Sequence, residues 1–216
     1  MIIFIPAPWK SGTHLIRNMS LLPGIKFVFE PNEIGMQISR YIRKKATFKN
    51  VKTAINNHIE ENKLLIIQEK RLGFIIKELL ESYDCKIIHF ERNKYDWVYS
   101  HLFKQPNNNP RATELSLLDY PFLQTIENAE EFFKQNRKEQ LETAWENFQK
   151  EPRKYQLDER VFYITYTNLI NAPKQSTENI CNFIGIKYDG NLFENAHRKS
   201  LYKERLLKGE IAYGQI

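Results

Sequence analysis

Apolar residues along this chain come in short runs that alternate with amphipathic stretches. The first run, Ile2–Ile5, is short and stops at Pro6, so it reads as a strand. A polar turn follows, after which Leu15, Ile16 and Met19 fall on one helical face. Ile25–Phe29 reads as a second strand, stopped by Glu30 and Pro31. Residues 32–62 are polar with helical spacing in pieces, residues 64–67 form another apolar run, and Ile75, Ile76, Leu79 and Leu80 recur at helical spacing. Residues 86–90 are again strand-like, and residues 94–100 helix-like. This alternation predicts an α/β fold with a mainly parallel central sheet flanked by helices.

Beyond residue 105 the pattern weakens. The Pro106 to Pro110 segment, with three asparagines between its prolines, is a loop signal, and 105–128 is a candidate lid or acceptor-binding excursion. Phe132, Phe133, Leu141, Trp145 and Phe148 predict one long amphipathic helix ending near Pro152. Residues 161–166 read as the last strand, and residues 172–184 as a helix closed by Gly185. No repeat, low-complexity tract or linker divides the chain, so residues 1–216 are expected to form a single domain.

Composition narrows the function classes only modestly. At 42% hydrophobic and 27% charged residues, disorder is not expected. No apolar run approaches the roughly 20 residues of a membrane span. The N-terminus has no charged region ahead of its short apolar run, so a cytoplasmic location is the expectation. Cys85 and Cys181 lie too far apart in sequence to suggest a metal pair or a disulfide framework. The net charge of +6 suits an anionic ligand or acceptor. Arg40, Arg43, Lys44 and Lys45 could meet an acidic partner, but a solvated helix face is the favoured reading. Nucleic acid is not expected as a partner, and oligomeric state is left open.

The turn after the first strand carries the first candidate chemistry. A helix N-terminus presents unpaired N–H groups and the positive end of its dipole, and a glycine lets the loop close around phosphate or sulfate oxygens. Lys10 adds charge, while Ser11 and Thr13 add hydroxyl donors beside Gly12 and His14. The lysine precedes the glycine, so this is not the Walker A order of ATP and GTP enzymes. An ordinary strand-to-helix turn is the plain alternative. A second constellation follows the fourth strand, where Arg92 stands at the strand end and Ser100 eight residues on in the next helix. A guanidinium fork can hold a phosphate through two hydrogen bonds, which a hydroxyl can supplement.

Lys10-Ser11-Gly12-Thr13 after a first strand resembles the 5′-phosphosulfate loop of the sulfotransferases, which use 3′-phosphoadenosine 5′-phosphosulfate (PAPS). Arg92 with Ser100 resembles their 3′-phosphate motif. Residues 162–169, with Pro173 and the apolar run 180–186, look like a further family segment in which Tyr166 would meet the adenine. Lys208-Gly209 resembles the family's Arg-Lys-Gly motif, and a helix C-terminus with its glycine cap is the alternative there. The resemblance implies a P-loop-like sulfotransferase fold and a PAPS-dependent enzyme that moves a sulfuryl group to a hydroxyl or amine of a small-molecule or glycan acceptor. It implies no required metal.

The chain departs from the family in two places. His14 and Leu15 stand where an adenine-stacking aromatic often follows the loop, and no histidine base follows the third strand. Glu69-Lys70 instead resembles the Glu-Lys pair of carbohydrate sulfotransferases, which makes Glu69 a candidate base if burial raises its affinity for a proton. An ion pair to Lys70 or Arg71 would hold the carboxylate charged and weaken that role. His14 is the competing base. His58, His89, His101 and His197 carry no motif signal and read as ordinary surface or core histidines. A kinase-like phosphotransferase and a non-catalytic adenosine-bisphosphate-binding relative are the alternative functions.

Overall fold

Strand β1, Ile2–Ile5, is buried along its whole length because it lies in the middle of the sheet, between two neighbours that supply both its ladders. The computed structural model describes residues 1–7, 11, 22–104, 126–188 and 190. The other strands are β2 (Ile25–Phe29), β3 (Leu64–Gln68), β4 (Cys85–Glu91) and β5 (Val161–Thr165). They pair in the order β2-β3-β1-β4-β5. Every pairing is parallel, with Ile2 beside Leu65 and Cys85, Ile25 beside Leu64, and Ile87 beside Val161. Parallel neighbours need crossovers, and helices supply them: α1 (Asn32–Ile42), α2 (Phe48–Asn56), α3 (Ile76–Ser82), α4 (Lys94–Lys104), α5 (Ile126–Lys134) and α6 (Arg137–Arg153). Helices α7 (Tyr166–Asn171) and α8 (Pro173–Ile184) follow β5. The result is a single α/β domain.

Alternation of side chains along the strands explains the two cores. Ile2, Phe4, Leu65, Ile67, Cys85 and Ile87 face Ile34, Ile38, Val51, Ile55 and Leu79 from α1, α2 and α3. Their neighbours Ile3, Ile5, Ile66, Ile88 and Phe90 face Leu169, Ile180, Cys181 and Ile184 from α7 and α8. Apolar residues on both faces of a strand leave no polar alternation, which is why the strands appear in the sequence as continuous runs.

The structure refines several expectations. The long helix expected over Phe132 to Phe148 is two helices, because Asn136 starts α6 with a capping box. Its side chain accepts from the Glu139 N–H at 3.1 Å, and the Glu139 carboxylate accepts from the Asn136 N–H at 3.0 Å. Pro152 lies within the last turn of α6 rather than beyond it. Tyr166 opens α7 instead of closing β5, because the Thr165 side chain caps the helix by accepting from the Asn168 N–H at 3.1 Å. The polar stretch after β2 forms α1 and α2, and Glu30 makes the expected stop with a φ of 43°. Gly185 closes α8 at a φ of 80°, where glycine avoids a Cβ penalty. Arg40, Arg43, Lys44 and Lys45 are exposed at the end of α1 and the turn after it. The helix expected at Leu15 to Met19 and most of the 105–128 excursion lie outside the described residues, although 126–128 belong to α5.

Candidate active site

In an open parallel sheet the strands' carboxyl ends form one edge, and a ligand there meets residues from several strands. Here β3, β1, β4 and β5 are consecutive neighbours, so Gln68 and Glu69, Pro6 and Ala7, Glu91 and Arg92, and Thr165 and Tyr166 lie along one edge. Neighbouring strands are about 4.8 Å apart, which sets the roots of the loop after β1 and of Arg92 close together. Of the residues the sequence singles out, Ser11, Glu69, Arg92, Ser100 and Tyr166 are described. Lys10, Gly12, Thr13, His14, Lys208 and Gly209 lie outside the described residues.

Ser11 is fully buried, and its hydroxyl has no hydrogen-bond partner among the described residues. A buried hydroxyl left that way costs about 1–3 kcal/mol. Arg92 is also buried, with its guanidinium carbon 4.5 Å from the centre of the Tyr166 ring. Stacking on an aromatic face fixes the guanidinium plane. Burial pushes the Tyr166 phenol above its usual range against the opposing pull of Arg92, so it stays neutral. Ser100 is buried on α4, whose start is set by the Asn93 side chain accepting from the Tyr95 N–H at 2.9 Å.

Glu69 is 3% exposed, and Arg71 grips it twice. The Arg71 backbone N–H donates to Oε1 at 3.1 Å and the guanidinium Nη1 to the same oxygen at 2.8 Å. The close approach of α1 to this pair uses the glycine at position 35. A Cβ there would lie 2.4 Å from Arg71 Nη1 and 3.2 Å from Glu69 Oε2. The ion pair weighed in the sequence analysis is therefore present, and it uses Oε1.

Several residues at this edge carried no sequence signal. Gln68 is buried, and its amide oxygen lacks a partner among the described residues. Trp145, Gln149 and Arg153 recur at four-residue intervals on α6, and all three touch the end of β4. The Trp145 indole N–H donates to the Arg92 carbonyl at 2.9 Å, Gln149 meets His89 at 2.6 Å, and the Arg153 guanidinium pairs with Glu91 at 2.7 Å. Spacing of i, i+4, i+8 marks a single helix face, but nothing in the sequence says which strand it meets. A surface cavity of about 630 Å³ lined by Ile2, Lys63, Tyr83 and Ile184, among others, lies at the opposite edge of the sheet and shares none of these residues.

The molecule thus belongs to the class of all-parallel α/β domains that gather polar side chains at the carboxyl edge of the sheet. The profile of the sulfotransferase domain family matches residues 2–206, nearly the whole chain; the chain belongs to that family, and it is a sulfotransferase. Comparison with curated protein sequences finds no match. Among solved structures it is similar to the sulfotransferase domain from the curacin biosynthetic pathway, at 15% identity and a TM-score of 0.59, covering 89% of this chain and 76% of that one. It is similar to a sulfotransferase from Alicyclobacillus acidocaldarius, at 16% identity and a TM-score of 0.55, covering 99% and 97%. It is also similar to a mouse sulfotransferase complexed with PAP, at 20% identity and a TM-score of 0.54, covering 98% and 68%. At these identities the likeness is one of fold. Among the described residues no helix is long and apolar enough to cross a membrane.

Proposed function

We propose that this sulfotransferase takes PAPS as its donor and transfers the sulfuryl group to a hydroxyl or amine on a small-molecule or glycan acceptor. The observation that carries the donor assignment is the pairing, on adjacent strands, of a buried unpartnered Ser11 hydroxyl after β1 with a buried, ring-stacked Arg92 after β4. Two anion-binding roots one strand apart suit a nucleotide with phosphate at both ends. When bound, the donor supplies the activated sulfuryl group.

In this reading Lys10, Ser11, Gly12, Thr13 and His14 hold the 5′ side, and Lys10 supplies the charge that favours the transition state. Arg92 and Ser100 hold the 3′-phosphate, Tyr166 keeps the Arg92 plane oriented and borders the adenine, and Lys208 and Gly209 close over it. Glu69 accepts the acceptor's proton through Oε2, since both of its bonds to Arg71 use Oε1. His14 is the alternative base. Positive charge from side chains serves where a kinase uses magnesium, and the net charge of +6 favours an anionic donor.

Calorimetric titration of adenosine 3′,5′-bisphosphate, with ATP and magnesium for comparison, tests the donor. Wild type is expected to prefer the bisphosphate, and Arg92→Ala to lose most of that affinity. Equal affinity for ATP would replace the reading with a phosphotransferase. Transfer of labelled sulfate from PAPS, lost in Lys10→Ala and retained in wild type, separates an enzyme from a relative that only binds.

A further inference from the structure

The ladder of β1 ends where proline removes the next N–H, and the Pro6 carbonyl is left at the root of the anion loop. The register that sets Phe4 beside Ile87 brings Pro6 level with His89 of β4. His89 is fully buried, and its Nδ1 lies 3.2 Å from the Pro6 carbonyl oxygen. The other ring nitrogen lies 2.6 Å from Gln149 Oε1, and Gln149 too is fully buried. A neutral imidazole has one N–H and cannot donate to two oxygens. The Gln149 side-chain nitrogen, meanwhile, has no partner among the described residues. Turning the amide over removes the conflict: the Gln149 NH2 donates to His89 Nε2, His89 Nδ1–H donates to Pro6, and the amide oxygen becomes the atom without a partner among the described residues. Amide orientation follows from the bonding network, because oxygen and nitrogen differ little in shape.

We propose that His89 and Gln149 are positioning residues that hold the root of the loop after β1 in register with the root of Arg92. The proposal rests on the PAPS reading. The same helix face that carries Gln149 also donates from Trp145 to the Arg92 carbonyl and pairs Arg153 with Glu91. One rigid face of α6 therefore sets both anion-binding roots: Arg92 directly, and the loop through His89. An imidazole and an amide in a fully dry interior are costly unless their bonds are made, and apolar side chains would fill the same space without that cost. What the polar pair adds is direction at one carbonyl.

The test compares adenosine 3′,5′-bisphosphate with adenosine 3′-monophosphate, which lacks the phosphate that the loop would hold. His89→Phe keeps a ring and loses both hydrogen bonds. It is expected to weaken bisphosphate binding about tenfold and to leave 3′-monophosphate binding nearly unchanged. Gln149→Leu is expected to do the same, and His89→Asn, which keeps an N–H near the position of Nδ1, to recover most of the loss. A parallel loss for both nucleotides, or no loss for either, overturns the positioning role while leaving the donor reading intact. Wild type that binds the bisphosphate no better than ATP overturns the donor reading, and the positioning role with it. Nitrogen NMR of the wild-type ring at neutral pH reads the arrangement without any variant. A neutral His89 protonated on Nδ1 is expected, and protonation on Nε2 or on both nitrogens overturns the assignment.

Discussion

His89 shows how much one buried side chain can govern. Burial is the main cause holding its imidazole below the usual histidine pKa of 6.5, partly offset by Gln149, by Glu91 and by the Pro6 carbonyl, while Arg153 adds to the lowering. Tyr163 also packs against the ring, with centroids 5.0 Å apart. In the unfolded chain the ring takes up its proton near pH 6.5, while the folded state resists it. Its contribution to stability is therefore complete above that pH and is lost as the pH falls toward the folded value. The slope can reach about 1.4 kcal/mol per pH unit, the limit for one proton. Urea unfolding between about pH 7.5 and 5.5 should show this acid limb in wild type and a flatter one in His89→Asn. Asp158, whose carboxyl is held below its usual 3.8 by Arg160, adds a limb of the same sign in a separate window at lower pH.

Glu69 and Arg71 give a second prediction at the same scale. Arg71→Met removes the guanidinium from a carboxylate that is 3% exposed. The expected cost is roughly 2–3 kcal/mol, below the 3–5 of a fully buried pair because Arg71 itself is partly exposed. Gly35→Ala should cost less, about 1 kcal/mol, since the atom it meets first is the mobile end of the Arg71 side chain. Thermal melts of both variants check the order. Equal losses would mean that the close approach of α1 to the pair, and not the pair itself, sets the stability.

Among the helices, α6 is the one on which the candidate site depends most. Its N-terminus rests on the reciprocal bonds of Asn136 and Glu139, and its apolar face packs Phe148 against Phe74 and Trp145 with Trp97 and Val98. Asn136→Ala is expected to cost about 1 kcal/mol, or a few degrees in Tm. Trp145, Gln149 and Arg153 lie about two and a half to nearly five turns from that cap, so nucleotide affinity should change less than it does in Gln149→Leu. An affinity loss as large as that of Gln149→Leu would show that the whole helix shifts when its start is loosened.

For the molecule as a whole, binding and stability are linked. In the proposed reading, a nucleotide that joins residues from several strands binds the folded state alone. At a hundred times its Kd it should stabilise by about 2.7 kcal/mol, roughly 5–10 °C in Tm for a domain of this size. Adenosine 3′,5′-bisphosphate should produce that shift in wild type, and Arg92→Ala should lose it at the same concentration. ATP with magnesium should shift wild type less. A larger shift with ATP would favour the phosphotransferase alternative.

Short-range patterns were enough to reach the frame of this protein. Five apolar runs mark the five strands, because strands buried on both faces need no alternation, and parallel order follows from the helices between them. The Lys10 to Thr13 loop, Arg92 and Ser100 carried the family resemblance, because anion recognition at strand ends uses local, ordered residue types. Contacts between distant segments left no such trace. Phe132 to Phe148 looked like one helix because hydrophobic spacing continues across a break that a single capping box makes at Asn136. His89 looked like a core histidine until the register of β1 with β4, and the face that α6 turns to them, brought Pro6 and Gln149 to its two nitrogens. Gly35 had no visible purpose before Glu69 and Arg71 were seen against α1. Sequence alone determined the strands, their parallel arrangement and the family resemblance, since each depends on neighbours within a turn or two. Which side chains hold those ends in place was decided only by tertiary packing, because a hydrogen bond across 60 or 80 residues of chain leaves no periodicity to read.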